Sequence, residues 1–481
     1  MNQKSNKIGS YRWSICGLLF FATTINYLDR QVLSLTWSEF IAPEFHWTNN
    51  DYGNITALFS IFYAVSLLFA GRFVDWMDTK KGFLWAIGIW SFGACLHAFC
   101  GIATSGIITG NWFVGFEGAK ETLKTVNDTG LIINVSVTLF IFARFVLAVG
   151  EAGNFPAAIK TTAEYFPKKD RAFSTSIFNA GATVGALAAP ISIPFIAKAF
   201  GWEMAFIIIG ALGFIWMGFW VFMYDKPEKH PKVSQAELEY IQQDDIADSK
   251  LAGYVPETTT KVSLSDCLKY KQTWAFAFGK FMTDGVWWFF LFWTPAYLSS
   301  VYNMDSTQSA LPLFVLYMIT LLSIIGGWLP TYFVEKKGMN PYEGRMKAML
   351  IFAFFPLLAL IAQPLGHISY WLPVIIIGIS GAAHQSWSAN IFTTVGDMFP
   401  KKAIATITGI GGLAGGIGST LINKGSGVLF DYSKETNLIF MGFKGIEAGY
   451  FIIFSICAVC YLTGWIVMKS LVPKYSPITS L

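Results

Sequence analysis

The sequence Phe166-Pro167-Lys168-Lys169 occurs a second time, 233 residues later, as Phe399-Pro400-Lys401-Lys402. The same offset places Gly185 on Gly418. A repeat with an offset of about half the chain length predicts that the protein consists of two halves with the same fold.

The composition indicates a membrane protein. Hydrophobic residues make up 54% of the 481 residues and charged residues only 13%, whereas soluble domains carry about 25% charge. About 20 apolar residues cross the bilayer core as a helix, and twelve such stretches occur: 13–36, 53–72, 83–102, 133–157, 173–199, 203–224, 273–298, 308–334, 346–364, 369–392, 404–425 and 447–469. The predicted fold is all-α, with twelve transmembrane helices in two six-helix, pseudo-symmetric bundles.

The predicted bundles occupy residues 1–225 and 263–481, and a polar linker, 226–262, connects them. Within the linker, Ser234-Gln235-Ala236-Glu237 has the spacing of a capping box, in which the Ser and Glu side chains satisfy each other's free amides. A short helix is therefore expected after Ser234.

An insertion distinguishes the first half from the second. Gly71 matches Gly327 at an offset of 256 rather than 233, so about 23 extra residues lie between spans three and four. They fall in 105–133, where we expect an outward-facing loop or a re-entrant segment.

Positive charges are distributed unevenly among the loops. If the N-terminus is cytoplasmic, the inside segments carry 25 of the 34 Lys and Arg residues, the outside loops carry six, and three lie within spans. Because loops rich in Lys and Arg stay cytoplasmic, this distribution predicts a multi-pass protein of the cell (inner) membrane with both termini inside. The net charge of +4 reflects this topology and does not indicate nucleic-acid binding.

Asp29 and Arg30 are adjacent charges inside the first span. A charge within the bilayer is costly and usually faces the bundle interior or a polar path. Neighbours on a helix point about 100° apart, so the two side chains are expected to serve different partners.

The segment Gly71-Arg72-Phe73-Val74-Asp75-Trp76-Met77-Asp78-Thr79-Lys80-Lys81-Gly82 resembles the cytoplasmic signature of the major facilitator superfamily. In that superfamily the substrate site lies near the membrane midplane between two bundles, whose rocking gives alternating access. The resemblance implies that Asp75 makes a gating contact, although a solvated loop acid is the alternative. The second half has Thr331 at the matching position.

Further stretches resemble the anion:cation symporter family within that superfamily. They are Asn26-Tyr27-Leu28-Asp29-Arg30, the segment 144–151 with Asn154, Ala383-His384-Gln385, and 279–295, which is most similar to hexuronate (galacturonate and glucuronate) transporters. The resemblance implies a proton-coupled symporter that imports a sugar acid.

Two positions depart from the hexuronate pattern, so the sequence specifies the family more closely than the substrate. Gly285 stands where many hexuronate-type sequences have Pro, and Tyr63-Ala64-Val65-Ser66-Leu67-Leu68 stands where relatives often have a Gln-Pro pair.

Arg30 is the predicted anchor for the substrate carboxylate, because arginine binds carboxylates through two parallel hydrogen bonds and does not titrate. A permanent salt bridge between helices is the alternative role. Asn26 is one turn away on the same helix face.

Glu151 and Asp29 are the candidate proton carriers. Arg144 and Glu151 are seven residues apart, about 10 Å along one helix face, and a nearby arginine lowers the pKa of a carboxyl that burial would raise. Arg144 is therefore predicted to expel the proton from Glu151, and a static ion pair is the alternative.

In the second half, His384 occupies the position that corresponds to Glu151 at the repeat offset. Its side chain could titrate near neutral pH, and the alternative is an ordinary hydrogen bond. Lys280 and Asp284 have the i, i+4 spacing of an ion pair, and direct contact of Lys280 with the ligand is the alternative role. The remaining candidate substrate-binding residues carry hydroxyl, amide or indole groups suited to a polyol: Tyr63, Asn154, Asn179, Trp287, Trp288, Gln385, Ser386 and Asn390.

The expected partners are a small organic anion, protons and membrane lipids, and the protein is expected to be a monomer. Neither an ATP site, a metal cluster nor a nucleophile constellation is recognisable, so no cofactor and no enzymatic activity are expected. The alternatives are a carrier of aldonate, glucarate or another carboxylate, sodium-coupled or facilitative, and a transporter-like membrane sensor.

Overall fold

The computed structural model describes residues 9–243 and 263–478. In the first half the helices are α1 (Tyr11–Thr36), α2 (Ala42–Phe45), α3 (Asn49–Met77), α4 (Thr79–Thr109), α5 (Gly115–Lys124), α6 (Thr129–Glu151), α7 (Asn154–Tyr165), α8 (Lys168–Phe200), α9 (Trp202–Met223) and α10 (Gln235–Ile241). A π-helical turn (Trp37–Ile41) extends α1, and a 3₁₀ turn (Pro227–Lys229) precedes α10.

The second half has the same order of spans. Its helices are α11 (Leu264–Cys267), α12 (Lys271–Tyr302), α13 (Ala310–Thr320), α14 (Ile324–Lys337), α15 (Pro341–Phe354), α16 (Ala362–Gly366), α17 (Trp371–Met398), α18 (Lys401–Glu435) and α19 (Ile446–Leu471). 3₁₀ turns (Leu321–Ser323 and Phe355–Ile361) join α13 to α14 and α15 to α16. A short antiparallel ribbon, β1 (Ile439–Phe440) with β2 (Phe443–Lys444), pairs Ile439 with Lys444 and Phe440 with Phe443.

The twelve predicted spans are confirmed as α1, α3, α4, α6 with α7, α8, α9, α12, α13 with α14, α15 with α16, α17, α18 and α19. Eight of them are long and apolar enough to be recognised as membrane spans from composition alone. The other four are α1, α12, α17 and α18. Three of these, α1, α12 and α17, carry most of the predicted site residues, because side chains that line a polar site lower the apolar character of a span.

The insertion before α6 forms a surface helix, α5. Lys120 of α5 lies 3.1 Å from both Glu117 and the buried Glu203 at the start of α9. Beside this pair, Glu44 accepts a hydrogen bond of 2.8 Å from the Trp202 indole, and burial raises the pKa of Glu44 to about 7. The insertion is therefore tied to the first half by a partly buried charged cluster.

The linker helix α10 forms only half of the predicted capping box. Ser234 accepts a hydrogen bond of 3.2 Å from the Glu237 amide, but the Glu237 carboxylate turns away and binds Arg12 through its backbone amide, at 3.0 Å, and its guanidinium, at 3.2 Å. Arg12 outcompetes the Ser234 backbone amide for Glu237, because a charged guanidinium binds a carboxylate more strongly than a neutral amide does. Linker residues 244–262 lie outside the described residues, and the division into 1–225, 226–262 and 263–481 stays a prediction.

Glycines allow helices of one bundle to approach closely. A Cβ atom added at Gly181 would overlap the backbone oxygen of Phe20, and one added at Gly185 would overlap that of Thr24. Close approach of this kind is typical of small residues spaced four apart in membrane helices. It fixes the position of α1, and with it the adjacent charges Asp29 and Arg30.

We expect the Gly185→Ala variant to be less stable than the native protein, because the added methyl group must push α1 away from α8. Overpacking costs about 1–3 kcal/mol, which should lower the melting temperature in detergent by several degrees. Gly17→Ala is the matched control on α1, since a Cβ there meets no atom within 4 Å. Equal melting temperatures for the two variants would contradict the packing argument.

Candidate functional site

Arg30 lies at the interface between the two halves. Its Nε and Nη2 atoms donate to one carboxylate oxygen of Glu151, at 3.0 and 2.7 Å. Three rings surround the guanidinium, with centroids 5.1 Å away for Tyr27, 4.7 Å for Tyr63 and 5.1 Å for Trp288. Because Trp288 belongs to α12 and the other groups to the first half, both bundles contribute to this cage.

The helix geometry separates Asp29 from Arg30, as predicted. Asp29 is 2% exposed and points toward the Trp90 indole of α4 without reaching hydrogen-bond geometry, so that both carboxylate oxygens lack a partner. Arg30 points instead toward α3, α6 and α12. The two side chains therefore serve different partners.

Arg144 does not pair with Glu151. Its guanidinium lies 5.1 Å from the Phe59 ring centroid, and its Nε and Nη1 atoms are buried without a hydrogen-bond partner. Arg144 interacts electrostatically with both Glu151 and Asp29. The four side chains Asp29, Arg30, Arg144 and Glu151 thus form one buried charge cluster whose formal charges cancel.

Two amides complete this polar region. Asn26 and Asn154 are fully buried, and neither amide group has a hydrogen-bond partner. The second oxygen of Glu151 also has none. Leaving a buried polar group unpaired costs about 1–3 kcal/mol, so a region with this many free donors and acceptors is suited to binding a polar molecule rather than to stabilising the fold.

A second cluster lies in the other half. Lys280 and Asp284 form the predicted ion pair, at 2.7 Å, and Lys280 Nζ also lies 4.2 Å from the Phe392 ring centroid. Gly415 makes room for the carboxylate, since a Cβ at that position would overlap Asp284. The pair supports the structural role of Lys280, and its direct contact with a ligand stays a prediction.

His384 contacts two aromatic side chains. Its Nδ1 lies 2.7 Å from the Tyr461 hydroxyl, and its ring stacks on Trp287 with an interplanar angle of 2° and a centroid distance of 5.4 Å. This arrangement favours the hydrogen-bonded role of His384 and fixes the orientation of Trp287.

Three further predicted residues of the second half lie on α17: Asn390 and Ser386, which form hydrogen bonds, and Gln385. Asn390 donates to the Gly326 oxygen at 3.0 Å and to the Ser386 oxygen at 2.8 Å, and the Ser386 hydroxyl donates to Ala382 at 2.9 Å. The bond to Gly326 joins α17 to α14, and the other two bonds lie within α17. Gln385 is half-buried.

Two predicted residues of the first half lie outside the cluster. Asn179 is exposed on α8. Asp75 is 74% exposed and pairs with Lys160 at 3.0 Å, which joins the end of α3 to α7 within the first half. Its gating role stays a prediction.

Several residues of the site were not identified from the sequence. Tyr27 could have been found, because residues three apart share a helix face and Tyr27 precedes Arg30 by three. Trp90 and Tyr461 lie in strongly apolar spans and carry no signal in the sequence pattern.

Comparison with known proteins gives a consistent result. A family profile described as Major Facilitator Superfamily matches residues 19–422. The hexuronate transporter of Escherichia coli (strain K12) is 27% identical over 430 residues, which cover 88% of this chain and 89% of that protein. A probable galactarate/D-glucarate transporter of the same organism is 23% identical over 94% of both chains.

Among solved structures, a bacterial homologue of the human lysosomal transporter Spinster superposes with a TM-score of 0.68 at 16% identity. The match covers 98% of this chain and 100% of that one. It shows that the fold is shared.

We expect Asp284→Ala to destabilise the protein strongly, because it leaves Lys280 buried without a counter-charge. Breaking one side of a buried pair costs about 3–5 kcal/mol, and the double variant Lys280→Met/Asp284→Ala should recover most of the lost melting temperature. The control is Glu121→Ala, which removes the acid from the exposed Lys124 pair and should change stability by less than about 1 kcal/mol. A melting temperature of Asp284→Ala no lower than that of the control would show that the buried pair is not structural.

Proposed function

The chain belongs to the Major Facilitator Superfamily, and we propose that this membrane transporter is a proton-coupled symporter that imports a hexuronate, such as galacturonate or glucuronate, by alternating access. One observation carries the proposal. An arginine at the interface between the halves is held by a titratable carboxylate and surrounded by three aromatic rings, one of them from the opposite half.

The chemistry of the cage suits a sugar acid. The Arg30 fork binds a carboxylate, aromatic faces pack against the apolar face of a sugar ring, and the free amides of Asn26 and Asn154 can bind hydroxyls. The names of the relatives, which transport hexuronates or galactarate and glucarate, support the same substrate class.

Coupling follows from competition for Arg30. The Nε and Nη2 atoms of Arg30 both donate to Glu151. An incoming substrate carboxylate must therefore displace the Glu151 carboxylate from them. Protonation removes the negative charge of Glu151 and releases Arg30 for the substrate. The occupied site then stays neutral with one anion and one added proton, which a medium of low dielectric constant favours.

The remaining charged residues have supporting roles in this cycle. Arg144, whose Nε and Nη1 atoms have no hydrogen-bond partner, approaches Glu151 in the step that expels the proton. Asp29 is a second proton site, because its carboxylate has no hydrogen-bond partner. Asp75 makes the gating contact on the face that carries both termini.

We also propose the orientation and assembly state. The excess of positive charge on the face with the termini supports a cytoplasmic location of that face in the inner membrane. A monomer contains the whole site, because both bundles of one chain supply the cage.

Binding can be tested with a thermal-shift panel of purified protein. Galacturonate or glucuronate should raise the melting temperature of the native protein, and Arg30→Lys should weaken binding by at least tenfold, because a point charge replaces the bidentate fork. Arg12→Lys, in a partly buried pair remote from the cage, should keep the shift. A shift with glucarate or galactonate but not with either uronate would overturn the proposed substrate.

Coupling can be tested in proteoliposomes with pH and sodium varied independently. Glu151→Gln should retain substrate exchange but lose accumulation driven by a pH gradient, since glutamine cannot carry the proton. The control, Glu237→Gln, changes another buried acid paired with an arginine and should still accumulate substrate. Unchanged gradient-driven uptake by Glu151→Gln would remove Glu151 from the mechanism, and dependence on sodium alone would replace the proton as the coupling ion.

A further inference from the structure

We propose that Asp431 is a gate residue of the transport cycle, a latch that holds the two halves together on the face opposite the termini. We call this the far face; it contains the N-terminus of α3 and the C-terminus of α18. The proposal rests on the proposed alternating-access function. The Asp431 carboxylate of α18 accepts hydrogen bonds from the Asn49 amide at 3.0 Å, the Asn49 side chain at 2.8 Å and the Asn50 amide at 2.6 Å.

The latch uses amides that the local cap of α3 leaves free. Thr48 and Asp51 form a complete capping box, which satisfies the Asp51 amide and the Thr48 amide. The first amides of a helix have no partner within the helix and carry partial positive charge. Those of Asn49 and Asn50 are bound by Asp431, so a carboxylate of the second half completes the N-terminus of a helix in the first.

A lysine on the same face of α18 adds a second contact. Lys424, two turns before Asp431, donates to the side-chain oxygens of Asn50 at 2.6 Å and Asn54 at 2.5 Å. Between the two charges the backbones touch, since a Cβ at Gly427 would lie 2.5 Å from the Asn49 oxygen. Close contact excludes water, which strengthens hydrogen bonds made by charged groups.

Two further contacts of charged side chains between the halves lie nearby but are weaker candidates. Glu39 accepts from the Ser306 amide at 2.6 Å, and the exposed Lys198 lies 3.4 Å from Asp305. The hydrogen bonds between the two bundles cluster toward the far face, and Asp431 accepts three of them. Loss of its charge therefore removes the largest single polar contribution to far-face closure.

The experiment measures the distance between spin labels at Lys124→Cys and Thr436→Cys, both exposed on the far face, in nanodiscs without substrate. We expect Asp431→Ala to raise the population of the long-distance, open state at least fivefold and Asp431→Glu to raise it less. Asn49→Asp should reproduce the opening by placing two carboxylates together. The control Glu435→Gln, one turn further along α18, should leave the distribution unchanged.

The outcomes distinguish failure of the proposed latch from failure of the proposed substrate. An unchanged distance distribution in both Asp431→Ala and Asn49→Asp would overturn the latch, whichever molecule is transported. Opening of the far face together with failure of uronates to bind would leave the latch in place and overturn only the substrate. Melting temperatures of the variants within a few degrees of the native value exclude general unfolding as the cause of a longer distance.

Discussion

Four buried charges must balance inside the first bundle, and the rest of the site depends on this constraint. Asp29, Arg30, Arg144 and Glu151 cancel formally, yet only Arg30 and Glu151 are joined by hydrogen bonds. A charge in a medium of low dielectric constant is tolerated when it is paired or when it faces a polar path. In the proposed cycle, the unpaired side chains Asp29 and Arg144 are therefore the ones free to exchange a proton or an anion, and the bond between Arg30 and Glu151 is the one that this exchange must break.

The two halves contribute different kinds of side chain to the site. In the first half, Glu151 is a titratable group held by the arginine that faces the interface. At the matching position of the second half, His384 is bonded to Tyr461 and stacked on Trp287, and Lys280 is neutralised by Asp284 four residues away. The second half thus supplies fixed ring surfaces, while the first half supplies charges that can change partner. The proposed coupling of one proton site to one anion site requires an acid at this position in only one of the two copies.

Sequence patterns predicted the features that depend on periodicity. Twelve spans, the separation of Asp29 from Arg30 and the Lys280–Asp284 pair all follow from helix geometry along a single span. Contacts between distant spans could not be predicted in this way. Trp90 beside Asp29, Tyr461 beside His384, and Asp431 on the α3 amides connect residues that the chain separates widely. The capping box at Ser234 was half wrong because Arg12, more than two hundred residues away, provided a stronger partner for Glu237.

The central site and the far-face contacts share the same helices. The helix α3 carries Tyr63 of the cage and also Tyr52, whose hydroxyl donates to the Phe292 oxygen at 2.9 Å. The helix α12 carries both that oxygen and Trp288, one turn earlier. Because helices move as rigid elements, α12 cannot draw Trp288 away from Arg30 without straining the bond from Tyr52 and the contacts at the α3 terminus. In the proposed cycle, loosening the cage and opening the far face are thus one motion of two rigid helices, and a substrate that bridges Arg30 and Trp288 would stabilise the closed arrangement through contacts with both bundles.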